Sequence, residues 1–266
     1  MSAILHMRVP LFVPADRPDR FEKAAAAGAD AVILDLEDAV SPGAKDEARA
    51  ALRGRFAPLP LLVRVNGLGT PWHEADMAAL PGKGFSAVIV PKAESGAAFA
   101  ALCAASPLPV IALIESARGL ADARGVAATG QVARLAFGSI DFCADLGCAH
   151  TREALLAARS EIVLASRLAG LAAPIDGVTT AIDDASAVAG DARHARELGF
   201  AGKLCIHPRQ IEAIRAGFAP DAAEVAWARK VLAGGAGAAA VDGTMVDEPV
   251  RLRARALLRQ AGEGAA

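Results

Sequence analysis

The first 218 residues alternate between two patterns of apolar and polar positions. Short, continuously apolar runs occupy residues 10–14, 31–36, 61–66, 87–91, 110–115, 134–139, 175–179 and 203–206. Between them lie Ala/Leu-rich stretches with helical spacing, such as 20–27, 45–54, 97–104, 153–169 and 185–198. An unbroken apolar run predicts a strand covered on both faces, since a strand with one wet face would alternate. Strands separated by helices predict βαβ units and a parallel sheet. Eight units in about 250 residues is the size of a (β/α)8 barrel. The alternative is an open doubly wound sheet, which would more naturally carry a glycine-rich phosphate turn after its first strand. Here that strand runs into Pro14-Ala-Asp-Arg-Pro-Asp19.

From about Pro220 the pattern changes. A helix over 221–232 gives way to a Gly/Ala-rich, linker-like run at 233–240, then to Val241–Pro249 and a last amphipathic helix to about 260. The division predicted is a catalytic barrel over 1–218 and a helical extension over 219–266 that packs on its own barrel or on a neighbouring subunit.

Composition narrows the function. At 54% hydrophobic residues the chain can bury a large core, and 28 basic against 30 acidic residues give no electrostatic footprint for nucleic acid. Only 4% of residues are aromatic and Tyr is absent, which removes base-stacking platforms. No apolar run reaches the roughly 18–20 residues of a membrane span, and the first residues lack the pattern of a secretory signal. The expected location is therefore the cytoplasm. Cys103, Cys143, Cys148 and Cys205 form no C-x-x-C pair and read as reduced thiols, mostly buried.

In such a barrel the working residues project from the C-terminal ends of the strands. Polar residues recur there: Asp35, Glu37 and Asp38 after the second run, Arg64 and Asn66 on the third, Lys92 and Glu94 after the fourth. Glu115 ends the fifth run, the sixth reaches Asp141, and His207 and Arg209 follow the eighth. Each has a plainer alternative. Glu115 and Asp141 could serve helix N-termini. The acids at 35, 37 and 38 could simply pair Arg64, and Lys92 could be an ion-pair partner. His207 before Pro208 could be a turn residue. Together, two strand-end acids and waters suit Mg2+, with Mn2+ as a substitute ion. Open positions on that ion would take an α-hydroxycarboxylate or 2-oxoacid, and Arg64 could stabilise a developing oxyanion. There is no zinc spacing, G-x-S-x-G elbow or P-loop.

The ordered segments Leu11-Phe-Val-Pro14, Ala31-Val-Ile-Leu-Asp-Leu-Glu-Asp-Ala-Val40, Val63-Arg-Val-Asn66, Val90-Pro-Lys-Ala-Glu-Ser95, Ile114-Glu-Ser-Ala-Arg-Gly119, Phe137-Gly-Ser-Ile-Asp-Phe142 and Cys205-Ile-His-Pro208 resemble the citrate lyase β-subunit-like branch of the HpcH/HpaI aldolase superfamily. The resemblance implies a Mg2+-dependent (β/α)8 barrel that makes or breaks a carbon–carbon bond in a CoA or acyl-carrier thioester. It implies Glu115 and Asp141 as metal ligands, Arg64 facing the reacting carbonyl, and Asp35, Glu37 and Asp38 holding metal waters and Arg64. It implies the backbone at Gly138 and Ser139 as the carboxylate site. Arg8, Arg17, Lys23, His207 and Pro208 are candidates for the CoA side. Gly243-Thr-Met-Val-Asp247-Glu-Pro249 resembles the C-terminal segment of malyl-CoA and citramalyl-CoA lyases. In that branch the aspartate enters a neighbouring subunit's site as general acid/base; otherwise Asp247 is a turn acid. A homo-oligomer, trimer or hexamer, is implied.

The leading expectation is a lyase that splits a 3-hydroxyacyl-CoA into a 2-oxoacid and an acyl-CoA. The alternatives are a citryl lyase β subunit that needs an acyl-carrier protein, a CoA-independent pyruvate aldolase, and a binding barrel without turnover.

Overall fold

The computed structural model describes residues 2–234, 239–241 and 244–263. A short helix α1 (Ser2–His6) precedes β1 (Pro10–Pro14) and α2 (Phe21–Ala25). Then follow β2 (Ala31–Asp35), α3 (Lys45–Ala50), β3 (Leu61–Arg64), α4 (His73–Ala78), β4 (Ala87–Val90) and α5 (Ala97–Ala105). The second half holds β5 (Val110–Ile114), α6 (Ala117–Ala121), α7 (Ala123–Ala128), β6 (Val132–Phe137), α8 (Ser139–Leu146) and α9 (Leu156–Leu168). It ends with β7 (Ala172–Asp176), α10 (Ala185–Leu198), β8 (Gly202–Lys203) and α11 (Ile211–Phe218).

The eight strands are parallel and lie in sequence order, so every crossover joins neighbours. The ends of the sheet meet. Lys203 N–H donates to Arg8 O, Cys205 N–H to Pro10 O and Phe12 N–H to Cys205 O, at 2.8, 2.9 and 2.8 Å. This is the closed (β/α)8 barrel that the unbroken apolar runs predict. Each strand is covered on both faces because it separates two apolar layers. One layer lies between sheet and helices; the other fills the barrel with Ile33, Leu62, Ile89, Ile111, Leu113 and Ile175. Ile4 and Met7 join the inner layer from the N-terminal segment. Arg134, fully buried, donates to the carbonyls of Ile4, Met7 and Ala173 and ties that segment to the barrel.

Most strands end earlier than the apolar runs. β7 begins three residues ahead of the predicted run, and β8 is only two residues long. Glu37, Asp38, Lys92 and Glu115 therefore sit in the loops just past the strands, where the pleat no longer dictates side-chain direction.

The tail comprises α12 (Ala222–Ala233), an antiparallel ribbon of β9 (Ala239–Val241) and β10 (Thr244–Val246), and α13 (Glu248–Gln260). Asp221 and Glu224 form a reciprocal capping box at the start of α12. The tail has its own apolar cluster around Val231, Val246, Ala254 and Leu257. Arg196 of α10 pairs with Glu224 at 2.8 Å and links the cluster to the barrel. The linker-like reading of 233–240 is corrected at residues 239 and 240, which belong to β9; residues 235–238 lie outside the described residues. No described helix is long and apolar enough to cross a membrane.

Candidate active site

At the C-terminal end of the barrel, β2 and β3 run side by side with Asp35 in register with Arg64. The Arg64 guanidinium forks onto Asp35, its Nε and Nη2 each donating to a different carboxylate oxygen at 2.7 Å. The same oxygens accept the backbone N–H groups of Glu37 and Ala39, folding the chain sharply after β2. Glu37 then comes back over Arg64. Its Oε2 is 3.0 Å from Arg64 Nη1 and its Oε1 accepts from Lys92 Nζ at 2.6 Å. The Phe12 ring lies 4.9 Å from the guanidinium carbon. Lys45 donates to the carbonyls of Leu36 and Glu37 at 2.6 and 2.7 Å and pins the loop from the other side. Burial opposes the charge on Arg64, but Asp35 and then Glu37 and Glu115 outweigh it and hold its pKa above the ordinary value. For Glu37 burial dominates and raises its pKa, with Arg64 and Lys92 offsetting part of the shift. Asp38 is exposed, 3.9 Å from Arg64, and lines the cavity shared by Arg64 and Glu115, which Glu37 does not.

Across the cavity the balance differs. Glu115 follows β5 directly and is 2% exposed. Its Oε1 accepts the backbone N–H of Lys92 at 2.9 Å; its Oε2 is buried with no hydrogen-bond partner. Lys92 has φ of 49°, a left-handed conformation that few non-glycine residues adopt, and it is this backbone that presents the N–H to Glu115. Burial first, then repulsion from Glu37 and Asp141, pushes the Glu115 carboxyl up to about 8, against the pull of Arg64. Gly138 packs onto this group; a Cβ there would stand 2.3 Å from Glu115 Oε2.

Asp141 is not a strand-end residue. β6 stops at Phe137, and Asp141 lies in the first turn of α8, half-buried, with Gly138 as N-cap. A cavity of about 540 Å³ opens between these groups, lined by Arg64, Glu115, Gly138, Ser139 and Asp141 among others. An unpartnered buried carboxylate oxygen costs free energy that a cation would remove. Among the described residues there is no cluster of three or more His, Cys, Asp or Glu able to hold a metal. The two carboxylates lining the cavity, Glu115 and Asp141, would suit a hard divalent ion that keeps part of its hydration shell.

A second groove of about 460 Å³ shares Phe12, Pro14 and Ile206 with the cavity and is lined by Arg17, Lys23, His207 and Pro208. Within it, Arg17 forks onto Asp19, and His207 Nδ1 accepts from Arg209 N–H at 3.2 Å, a turn role. Arg8 is not brought there. It precedes β1, at the opposite end of the barrel, where its N–H bonds Asp30. Asp247 caps α13 by accepting from Val250 N–H at 3.3 Å and is not among the residues lining the cavity of its own chain. Gly243, in the same segment, lies outside the described residues.

The structure adds groups that the sequence reading passed over. Asp176 at the end of β7 is fully buried between Arg159 and Lys203, at 2.8 and 3.0 Å. A lysine opening the short run 203–206 was the available signal. Ser139 Oγ lies 2.9 Å from His150 Nε2. No spacing or motif in the sequence marks His150.

The chain matches the family model described as HpcH/HpaI aldolase/citrate lyase over residues 8–208. It is 43% identical over 264 residues to a citrate lyase subunit beta-like protein of Mycobacterium tuberculosis, covering 95% of each chain. It is 34% identical over 269 residues to a (3S)-malyl-CoA thioesterase of Cereibacter sphaeroides, covering 96% of this chain and 94% of the relative. Its fold superposes with a TM-score of 0.87 on the crystal structure of CitE from M. tuberculosis in complex with magnesium, acetoacetate and coenzyme A, at 40% identity over 97% and 98% of the two chains.

Proposed function

Because the chain belongs to the HpcH/HpaI aldolase/citrate lyase family and is a carbon–carbon lyase, we propose that it acts on a 3-hydroxyacyl-CoA of the malyl-CoA or citramalyl-CoA type, with Mg2+ as cofactor. The products are a 2-oxoacid and an acyl-CoA. One observation carries the reading: the buried, unpartnered Oε2 of Glu115, which faces Gly138 and leaves the site short of a positive charge. The M. tuberculosis structure, with magnesium, acetoacetate and coenzyme A bound, supports the ligand classes.

Glu115 and Asp141 hold the ion. When bound, the ion supplies Lewis acidity to the hydroxyl and carboxylate oxygens of the substrate. Gly138 and Ser139 receive the substrate carboxylate through their backbone. Arg64, locked by Asp35 and Glu37, keeps a fixed positive charge where the thioester enolate forms, so no reorganisation is needed as the carbon–carbon bond breaks. The thioester arm runs into the groove of Lys23, His207 and Pro208. As the carbon–carbon bond breaks, the substrate hydroxyl gives up its proton to bulk water and becomes the 2-oxoacid carbonyl. Asp247 of a second copy would protonate the enolate carbon, Asp247 not being among the residues lining its own cavity. An acid/base in that role contributes about 10²–10⁴-fold.

A coupled assay for 2-oxoacid release from malyl-CoA and citramalyl-CoA tests the reading. Release that depends on Mg2+ and is lost in Glu115→Ala is expected; release that survives either change defeats the mechanism. Formation of free CoA and malate without glyoxylate would instead make it a hydrolase like the C. sphaeroides relative.

A further inference from the structure

Ser139 opens α8 and is 1% exposed, so the orientation of its side chain is fixed by what surrounds it. Two groups do this. His150 Nε2 lies 2.9 Å from its hydroxyl. On another side stands Gly177, where any Cβ would come within 2.2 Å of Ser139 Oγ; the chain must be glycine there to leave room. The loop between α8 and α9 that carries His150 is itself anchored. Arg152, two residues on, donates from Nε and Nη2 to Asp191 at 3.0 and 2.9 Å, and Asp191 accepts from Thr179 at 2.8 Å. A chain of contacts therefore runs from α10 through this loop to the first residue of α8.

We propose that His150 is a positioning residue that, through the Ser139 hydroxyl, fixes the first turn of α8 against the carboxylate of the 2-oxoacid. The inference rests on the reading that Gly138 and Ser139 receive that carboxylate. Burial, then Arg159 and Lys203, lower the pKa of His150, so the ring is neutral near pH 7 and offers one N–H and one lone pair. A neutral ring can hold the hydroxyl in either tautomer without placing a second charge beside the substrate. His150 itself is exposed, so its replacement strands only the buried Ser139 hydroxyl.

The test is a double-mutant cycle on the whole enzyme. His150→Leu is expected to raise KM for the 2-oxoacid in the condensation direction by about twofold to tenfold, the range for one neutral hydrogen bond. KM for the acyl-CoA stays unchanged, and His150→Gln recovers most of the loss. In a Ser139→Ala background His150→Leu adds nothing further. Calorimetric titration of pyruvate in the presence of Mg2+ is to show the same ordering without turnover. Equal rises in both KM values, additive losses in the double variant, or no Mg2+-dependent pyruvate binding by the wild type would each overturn the role. Wild-type enzyme that binds pyruvate but cleaves no thioester would defeat the functional reading and leave the positioning role standing.

Discussion

Two walls of one cavity carry charge in opposite ways. On the β2–β3 side both oxygens of Asp35 are engaged by Arg64; Glu37 takes a hydrogen bond from Lys92 on one oxygen, and its other oxygen, without a hydrogen bond, is neutralised by the Arg64 charge 3.0 Å away. On the β5–β6 side Glu115 has one oxygen engaged and one buried with nothing to bond. A buried ion pair with ideal fork geometry is a positioning device, because each charge satisfies the other and neither can move. A buried acid left short of a partner is a binding device, since its unfavourable energy is relieved when a cation arrives. On the proposed reading the cavity would use both, a fixed positive charge for the enolate and an unpartnered carboxyl that ionises when the cation arrives.

The sharpest way to break this contrast is to remove Asp35. Asp35→Ala would leave the Arg64 guanidinium, 11% exposed, without its bidentate partner. The expected loss is about 3–5 kcal/mol of folding stability. Asp38→Ala, at an exposed side chain 3.9 Å from the same arginine, should cost less than about 0.5 kcal/mol. Urea unfolding of both variants decides it; similar losses would mean that the Asp35–Arg64 pair does not organise this wall.

The next effect concerns the unpartnered wall and is read in pH. The folded pKa of Glu115 is about 8, above the roughly 4.3 of an unfolded glutamate. A raised acid binds its proton more tightly in the folded state, so the unfolded chain holds fewer protons across that interval. Stability contributed by this group is full below about pH 4.3 and is lost as pH rises towards 8. Metal-free protein in a chelator should lose up to a few kcal/mol across that window. Glu115→Gln should flatten the slope and be the more stable protein at pH 8. Saturating Mg2+ should flatten it as well, by favouring the ionised form. A slope unchanged by both would remove Glu115 from the cation site.

How far the sequence carried this picture depends on what each feature needs. The barrel was legible because eight doubly covered strands must be unbroken apolar runs, and residues such as Val32 to Leu34 are buried whichever face they point to. Arg64 and Glu115 were legible because an ion at the edge of an apolar run has few plain explanations. The sequence places Asp141 at a strand end because Ser139-Ile140 continues the apolar run of β6, whereas the chain turns into α8 at Gly138, close against Glu115. The β9–β10 ribbon was missed although Asp242-Gly243 between its strands is a favoured hairpin dipeptide. His150 was not legible at all, since its role is made by a loop returning over α8 and leaves no periodic trace. The placement of Arg8 shows the converse: a basic residue near a motif says nothing about which end of the strand it occupies.

The finest test lies where the two walls are joined. Lys92 touches both, with Nζ on Glu37 and its backbone N–H on Glu115, and the second contact requires φ of 49°. Lys92→Gly and Lys92→Ala both remove the ammonium, so the loss of the half-exposed Glu37 pair is common to them. They differ in the backbone alone. Glycine adopts the left-handed conformation freely, whereas a Cβ there costs about 1–2 kcal/mol. That strain should outweigh the greater chain entropy glycine loses on folding, roughly 0.5–1 kcal/mol. The glycine variant should therefore be the more stable of the two by somewhat under about 1 kcal/mol, and should keep the higher Mg2+ affinity. Paired urea unfolding and Mg2+ titrations read the difference. An alanine variant as stable as the glycine one would mean that residue 92 relaxes out of the left-handed region once its side chain is gone. The N–H contact to Glu115 would then be a consequence of the Glu37 pair rather than its structural counterpart.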